Sequence, residues 1–168
     1  MPFQLRPAQE SDAAAVAGVH AASSHAAYEG IAPAQQLSMD KRTAFWRDAI
    51  EYGEPLVHVA AKGPQLVGFV GYDRSRDAGS KPTCGELWAL YVDPGHWGEG
   101  IGGALWEAAR EGLVEEGCTE VTVWVPLRNE RALRLFEQCG FARESASVKT
   151  ATLSGVALEE VRLRRSLA

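Results

Sequence analysis

Tyr91-Val92-Asp93-Pro94-Gly95-His96-Trp97-Gly98-Glu99-Gly100-Ile101-Gly102-Gly103-Ala104-Leu105 holds the decisive change of pattern in this chain. An apolar, strand-forming run from Leu87 to Val92 stops at Asp93-Pro94. Four glycines then fall within positions 98–103, and an amphipathic helix follows, with Ile101, Leu105, Ala108, Ala109 and Leu113 on one side. A strand, a glycine loop and a helix N-terminus in succession present a row of free backbone N–H groups to an anion. Side chains would block that approach, which is why the geometry needs glycine. The pattern predicts a phosphate-bearing ligand.

Working outward, Gly117 stops the helix, and Val121 to Val125 alternates as a strand ended by Pro126. Asn129 is placed to cap a helix from Glu130 to Cys139, closed by Gly140. Two last strands, Ala142 to Thr150 and Val156 to Arg164, are expected to pair across Ser154-Gly155. On the other side, Phe3 to Arg6 reads as a short strand. Ser11 or Asp12 caps a helix from Ala13 towards Ala27, broken by Gly30-Ile31-Ala32-Pro33. A second helix covers Ala34 to Tyr52. Leu56 to Ala61 and Leu66 to Tyr72 form a hairpin across Lys62-Gly63-Pro64, and the polar segment Asp73 to Pro82 leads to a strand from Cys84 to Val92. With no repeats or linkers, this order predicts one domain, 1–168, of the α/β (α+β) class.

Composition narrows the partners. The 168 residues bury roughly two-thirds of their unfolded surface when folded. Hydrophobic residues at 46% and charged residues at 23% are ordinary for a globular protein. A formal net charge of −5 argues against non-specific nucleic-acid binding, so local donors must hold any anion. Cys84, Cys118 and Cys139 lack metal-ligand spacing and read as reduced packing residues, so no metal is expected. No run approaches the ~20 apolar residues of a membrane span, nor the apolar core of a signal peptide. No membrane association and a cytoplasmic location are the expectations.

Gly98-x-Gly100-x-x-Gly103 spells a dinucleotide-binding fingerprint, but the context contradicts it. Five residues separate strand from glycines where a Rossmann turn is tight, and Pro126-Leu127-Arg128 stands where an acidic ribose ligand belongs. No Gly-Lys-Ser/Thr follows, which excludes a Walker-type loop. Val92-Asp93-Pro94 followed by Trp97-Gly98-Glu99-Gly100-Ile101-Gly102 instead resembles the hallmark of the GNAT superfamily of acyl-CoA-dependent N-acyltransferases. Trp97 replaces the usual Arg or Gln. A second hallmark of that family, Asn-x-x-Ala-x-x-x-Tyr-x-x-x-Gly-Phe, is matched at Asn129, Ala132, Gly140 and Phe141, with Phe136 at the tyrosine position.

The resemblance implies a central mixed, mostly antiparallel seven-stranded sheet flanked by four helices, with a splayed strand pair holding acetyl-CoA as co-substrate. It implies that Leu90, Tyr91 and Val92 pair through their backbone with the pantetheine arm. The amides of Gly98, Glu99, Gly100, Ile101, Gly102 and Gly103 would hold the pyrophosphate, and Asn129 the cofactor arm. The expected activity is transfer of an acetyl group to a primary amine of a small molecule, amino acid or peptide. A homodimer is compatible with the family.

Acyl transfer to an amine needs a base, donors for the carbonyl oxygen and departure of a thiolate. Glu86 is the base candidate, acting through water: a carboxylate in an apolar strand is costly unless solvated or used, and alternation puts it on the face of Trp88 and Leu90. The competing account is an exposed edge glutamate or a salt-bridged one. The backbone N–H of Tyr91 or Val92 is placed to polarise the carbonyl. Phe136 cannot supply the acid usually drawn from its position, which leaves solvent, Tyr91 or Tyr28, or a thiolate that departs without an acid. Its loss also motivates an alternative, a catalytically idle acyl-CoA-binding module. Tyr28-Glu29-Gly30 falls where the family forms its acceptor pocket. His20, His25, His58 and His96 read as packing or surface residues, the five tryptophans as core or pocket wall, and Arg128, Arg131 and Arg134 as a solvated helix face.

Overall fold

The computed structural model describes residues 2–28, 38–153 and 156–167. Its strands are β1 (Gln4–Pro7), β2 (Leu56–Lys62), β3 (Gln65–Arg74), β4 (Cys84–Val92), β5 (Glu120–Pro126), β6 (Ala142–Leu153) and β7 (Val156–Ser166). Its helices are α1 (Ala13–Tyr28), α2 (Met39–Tyr52), α3 (Ile101–Glu115) and α4 (Glu130–Gln138). The seven strands make one sheet in the order β1-β2-β3-β4-β5-β7-β6. Every neighbouring pair is antiparallel except β4 and β5. That parallel pair needs a long crossover, and α3 supplies it. The mixed, mostly antiparallel sheet with four helices agrees with the expectation from sequence.

Two cores lie on opposite faces of the sheet. α3 and α4 bury Ile101, Leu105, Trp106, Leu133 and Phe136 against Val70, Tyr72, Leu87, Val121 and Val123. α1 and α2 bury Val16, Ala17, Trp46 and Ala49 against Val57, Val59 and Phe69. Each large side chain so buried contributes about 1.5–3 kcal/mol of transfer free energy. The inward side of α3 is the predicted one, with Trp106 and Gly112 added and Ala108 only half-buried. Gly112 lets α3 touch the sheet: a Cβ there would run into the Tyr72 hydroxyl.

Local details depart from the sequence pattern. Asp12 does not start α1 as a simple cap; it ends a 3-10 turn, accepts from the Gln9 amide at 2.8 Å and pairs with Arg6 at 2.7 Å. Ser38 caps α2, its Oγ accepting from the Lys41 amide at 3.1 Å. The expected break at Gly30–Pro33, a start of that helix at Ala34, the Glu29-Gly30 part of the acceptor segment and the Ser154-Gly155 turn lie outside the described residues. β6 and β7 extend further than predicted, to Leu153 and Ser166. No described helix is long and apolar enough to cross a membrane.

One irregularity matters for the site. In the β3–β4 ladder Gly71 faces Ala89 and Tyr72 faces Leu87, so Trp88 is an extra residue, a bulge in β4. Leu87, Leu90 and Val92 therefore pack with the α3 core, and Ala89 and Tyr91 with the α1–α2 core. Gly85 also faces α3, since a Cβ there would meet Leu113. Glu86, between Gly85 and Leu87, points to the α1–α2 face. The expectation that Glu86 shares a face with Leu90 is thus corrected: period-two alternation cannot see a bulge.

Candidate active site

β4 and β5 pair only over Cys84–Glu86 with Glu120–Thr122, then part. Each strand stays with its antiparallel neighbour, β4 along β3 and β5 along β7, and those ladders draw the two apart. The splay opens a cavity of about 580 Å³. Leu87 to Val92 form one wall and Val123 to Pro126 the other, with Ser23 of α1 reaching in from the opposite face of the sheet. The Asp93 amide donates to Val67 of β3, so by ladder alternation the backbone groups of Tyr91 turn towards β3 as well. Those of Leu90 and Val92 turn towards the cleft. Of the three predicted backbone partners, the geometry thus brings two to the cleft edge and withholds Tyr91, whose side chain borders the cavity instead.

The glycine loop forms the rim. Gly98 (φ 81°) and Gly100 (φ 82°) adopt the left-handed conformation that L side chains avoid. Gly100 is the N-cap of α3 and offers no side-chain cap, so the first amides of the helix keep their donors unpaired within it. Gly98, Gly100, Ile101, Gly102 and Gly103 all border the cavity. Glu99 differs. Its carboxylate turns to Lys62 and, at 3.2 Å, to His96, and the Lys62 ammonium holds its carboxyl below the usual range. Asn129 borders the cavity and caps α4, its Oδ1 accepting from the Ala132 amide at 3.2 Å.

Trp97, the departure from the family pattern, has a clear structural task. Its indole N–H donates to the Val92 carbonyl at 2.9 Å, and the Ser23 hydroxyl donates to the same oxygen at 2.9 Å. The loop is thereby tied to β4 and α1, and Val92 keeps its N–H for the cleft. Arg131, read from sequence as solvated, lies 3.8 Å over the Trp97 ring and lines the cavity. Burial lowers its guanidinium from the usual value, and Arg134 adds to that. Helix periodicity gives no sign of this contact, because Arg131 and Trp97 are 34 positions apart.

Glu86 stands at the last paired position before the strands part, opposite Thr122, and is 2% exposed. The backbone amide of Arg76 donates to its Oε1 at 2.9 Å, and the Arg76 guanidinium donates to Oε2 at 2.6 Å. Its neighbours on this face are the cavity-lining Trp88 and Trp124, each with a cation over its ring, Arg76 at 4.1 Å and Lys149 at 3.8 Å. Asp77 accepts from the Trp124 indole at 3.0 Å and pairs with Arg162 at 3.1 Å. Arg76 and Asp77 come from the β3–β4 loop, whose polar sequence gave no sign of what it anchors. Phe136 is buried, borders the cavity and meets Phe141 edge-on at 5.5 Å.

On the α1 side, Trp46 Nε1 donates to His20 Nδ1 at 3.2 Å, and His20 stacks on Tyr91 with ring centroids 4.9 Å apart. Burial raises the Tyr91 phenol above its usual value, against a hydrogen bond with Ser24. Burial pushes His20 down to about 4, and the charge of Arg42 acts in the same direction. Between that value and the unfolded 6.5, the unfolded chain binds a proton that the folded one refuses. The His20 contribution is therefore intact above pH 6.5 and is lost as pH falls towards 4, at up to about 1.4 kcal/mol per pH unit. Urea midpoints at pH 7, 5.5 and 4.5 are expected to fall less steeply in His20→Gln than in the wild type. Parallel curves would remove His20 as the source.

Residues 22–141 match the acetyltransferase (GNAT) family, and the chain belongs to that family. A mycothiol acetyltransferase of Kocuria rhizophila is 36% identical over 89 residues, which is 52% of this chain and 29% of that protein. The chain spans about a third of the length of the curated relatives it matches. Among solved structures, YncA of Salmonella typhimurium, determined with its cofactor acetyl-CoA, superposes with a TM-score of 0.79 at 20% identity, over 100% of this chain and 95% of that one. An N-acetyltransferase of Staphylococcus aureus Mu50 gives 0.80 at 17% identity over 100% of both chains. At such identities the likeness is one of fold.

Proposed function

Because this chain is a member of the GNAT acetyltransferases, we propose that it transfers the acetyl group of acetyl-CoA to a primary amine of a small molecule, an amino acid or a peptide. One observation carries the proposal: a cleft at the β4–β5 splay with two left-handed glycines and an uncapped helix N-terminus at its rim. The amides of Gly98 to Gly103 suit a pyrophosphate, since they are oriented donors at the positive end of α3. The free edges of Leu90 and Val92 suit the amides of a pantetheine arm, joined as an extra strand would be. Asn129 has amide N–H donors left after its Oδ1 caps α4.

In the proposed reaction the neutral amine nitrogen attacks the thioester carbonyl, a C–N bond forms and the C–S bond breaks. Glu86 takes the amine proton through a water, held in place by Arg76. The Val92 N–H is the donor offered to the carbonyl oxygen. The sulfur leaves as a thiolate, whose thiol pKa near 8.5 makes it a tolerable leaving group without an acid at position 136. The similarity to mycothiol acetyltransferases covers about a third of those proteins' length and does not carry their acceptor across.

Release of the CoA thiol from acetyl-CoA across a broad amine panel tests the proposal, with binding measured in parallel by calorimetry. Turnover with at least one class of amine is expected. Tight binding with no turnover on any amine would leave the idle acyl-CoA-binding module, the reading that Phe136 motivates.

A further inference from the structure

Arg42 is 4% exposed, and its Nε and Nη1 find no hydrogen-bond acceptor. Among the described residues it joins no ion pair, unlike Arg6, Arg76, Arg162 and Arg164. A guanidinium taken out of water without a counter-charge is costly, and proteins rarely keep one unless something anionic meets it.

Its surroundings lead to the cleft. α2 turns Arg42, Trp46 and Ala49 inward. Trp46 holds His20, His20 stacks on Tyr91, and Tyr91 borders the cavity. One turn before Trp46 stands Arg42, and one turn after His20 stands Ser24, which hydrogen-bonds the Tyr91 hydroxyl. The charge of Arg42 reaches both Tyr91 and His20. Arg42 itself does not border the cavity; it lies behind Tyr91, on the α1–α2 side of the sheet and across it from the glycine loop.

We propose that Arg42 receives an oxyanion of the acceptor, so that the amine substrate is an amino acid or a comparable anionic amine rather than a polyamine. This assignment rests on the acetyl transfer proposed above. Guanidinium N–H donors match a carboxylate in geometry and charge, and its arrival removes the cost of the buried cation. A carboxylate and a phosphonate share that chemistry.

The full chain is assayed with free L-amino acids, their carboxamides, the matching decarboxylated amines and the aminophosphonate counterparts. Carboxylate or phosphonate amines are expected to exceed their neutral counterparts in kcat/KM, and the better of the two identifies the oxyanion. Arg42→Met should raise their KM by about 10–100-fold, the loss of a charge-assisted hydrogen bond. It should leave the KM of the carboxamides and the Kd of acetyl-CoA unchanged, with Arg42→Lys recovering part of the loss. Better turnover of the neutral amines by the wild type, or an equal effect of Arg42→Met on acids and amides, would overturn the assignment. If Arg42→Met does not fold, the wild-type order of acids against amides decides.

The two proposals fail separately. With no turnover on any amine, acetyl transfer fails, and CoA-saturated protein is scored for thermal stabilisation by the same compounds. Stabilisation by the acids alone supports the anion site, whereas equal or absent stabilisation removes it.

Discussion

Glu86→Gln is expected to lower kcat by about 10²–10³-fold while acetyl-CoA binds as before, the usual worth of a positioned general base. The substitution keeps shape and keeps an oxygen that can accept from the Arg76 amide, now at 2.9 Å. It removes the negative charge, and with it the capacity to take a proton and the ion pair with Arg76. The Arg76 side chain is 53% exposed, so water can solvate the guanidinium once the carboxylate is gone, and folding should survive. Glu86 does not border the cavity that the glycines line, which is why binding should be spared. Steady-state thiol release with a good acceptor, beside calorimetry with acetyl-CoA, separates the two effects. A kcat within about threefold of wild type would leave Glu86 as a structural ion-pair partner and return the search for a base to water alone.

The sheet and the glycine loop were legible because their signals are local. Val92-Asp93-Pro94 ends a strand, Gly98 and Gly100 need a left-handed backbone, and Ile101, Leu105 and Leu113 repeat at helical spacing. What escaped is what long-range packing decides. The Trp88 bulge arises from how β3 and β4 align, and no property of Trp88 announces it. It moved Glu86 to the other face from Leu90 without changing the residue type. Arg76 and Asp77 looked like loop residues because polar sequence is the same whether it faces water or a tryptophan 47 positions away. Trp97 and Arg131 were each noticed, but the contact between them depends on how α3 and α4 converge on the cleft. Arg42 was invisible for the opposite reason: a charged residue type reads as exposed, although its spacing from Trp46 and Ala49 puts it on the buried face of α2.

Gly100→Val is expected to weaken acetyl-CoA binding by about 100-fold, roughly 3 kcal/mol. At φ 82° a β-branched residue meets a left-handed backbone that costs about 1–2 kcal/mol even for an unbranched one. The loop relieves that strain by leaving the conformation in which it turns its amides outward. Each hydrogen bond lost to a charged phosphate costs about 1.5–3 kcal/mol, so strain and lost donors together reach the predicted range. Gly95→Ala is the internal control. Gly95 has no positive φ, lies outside the cavity lining, and a Cβ there would meet only Asp93 Oδ1 at 3.6 Å, an ordinary contact. It should bind acetyl-CoA within about twofold of wild type. Turnover of Gly100→Val at saturating acetyl-CoA should stay within a few-fold of wild type, because Glu86 and the α1–α2 wall are untouched. If both glycine variants bind equally well, the loop is a flexible turn rather than an anion cradle. If both lose binding alike, the whole segment from Asp93 onward acts as one rigid unit, and Gly100 has no special share in it.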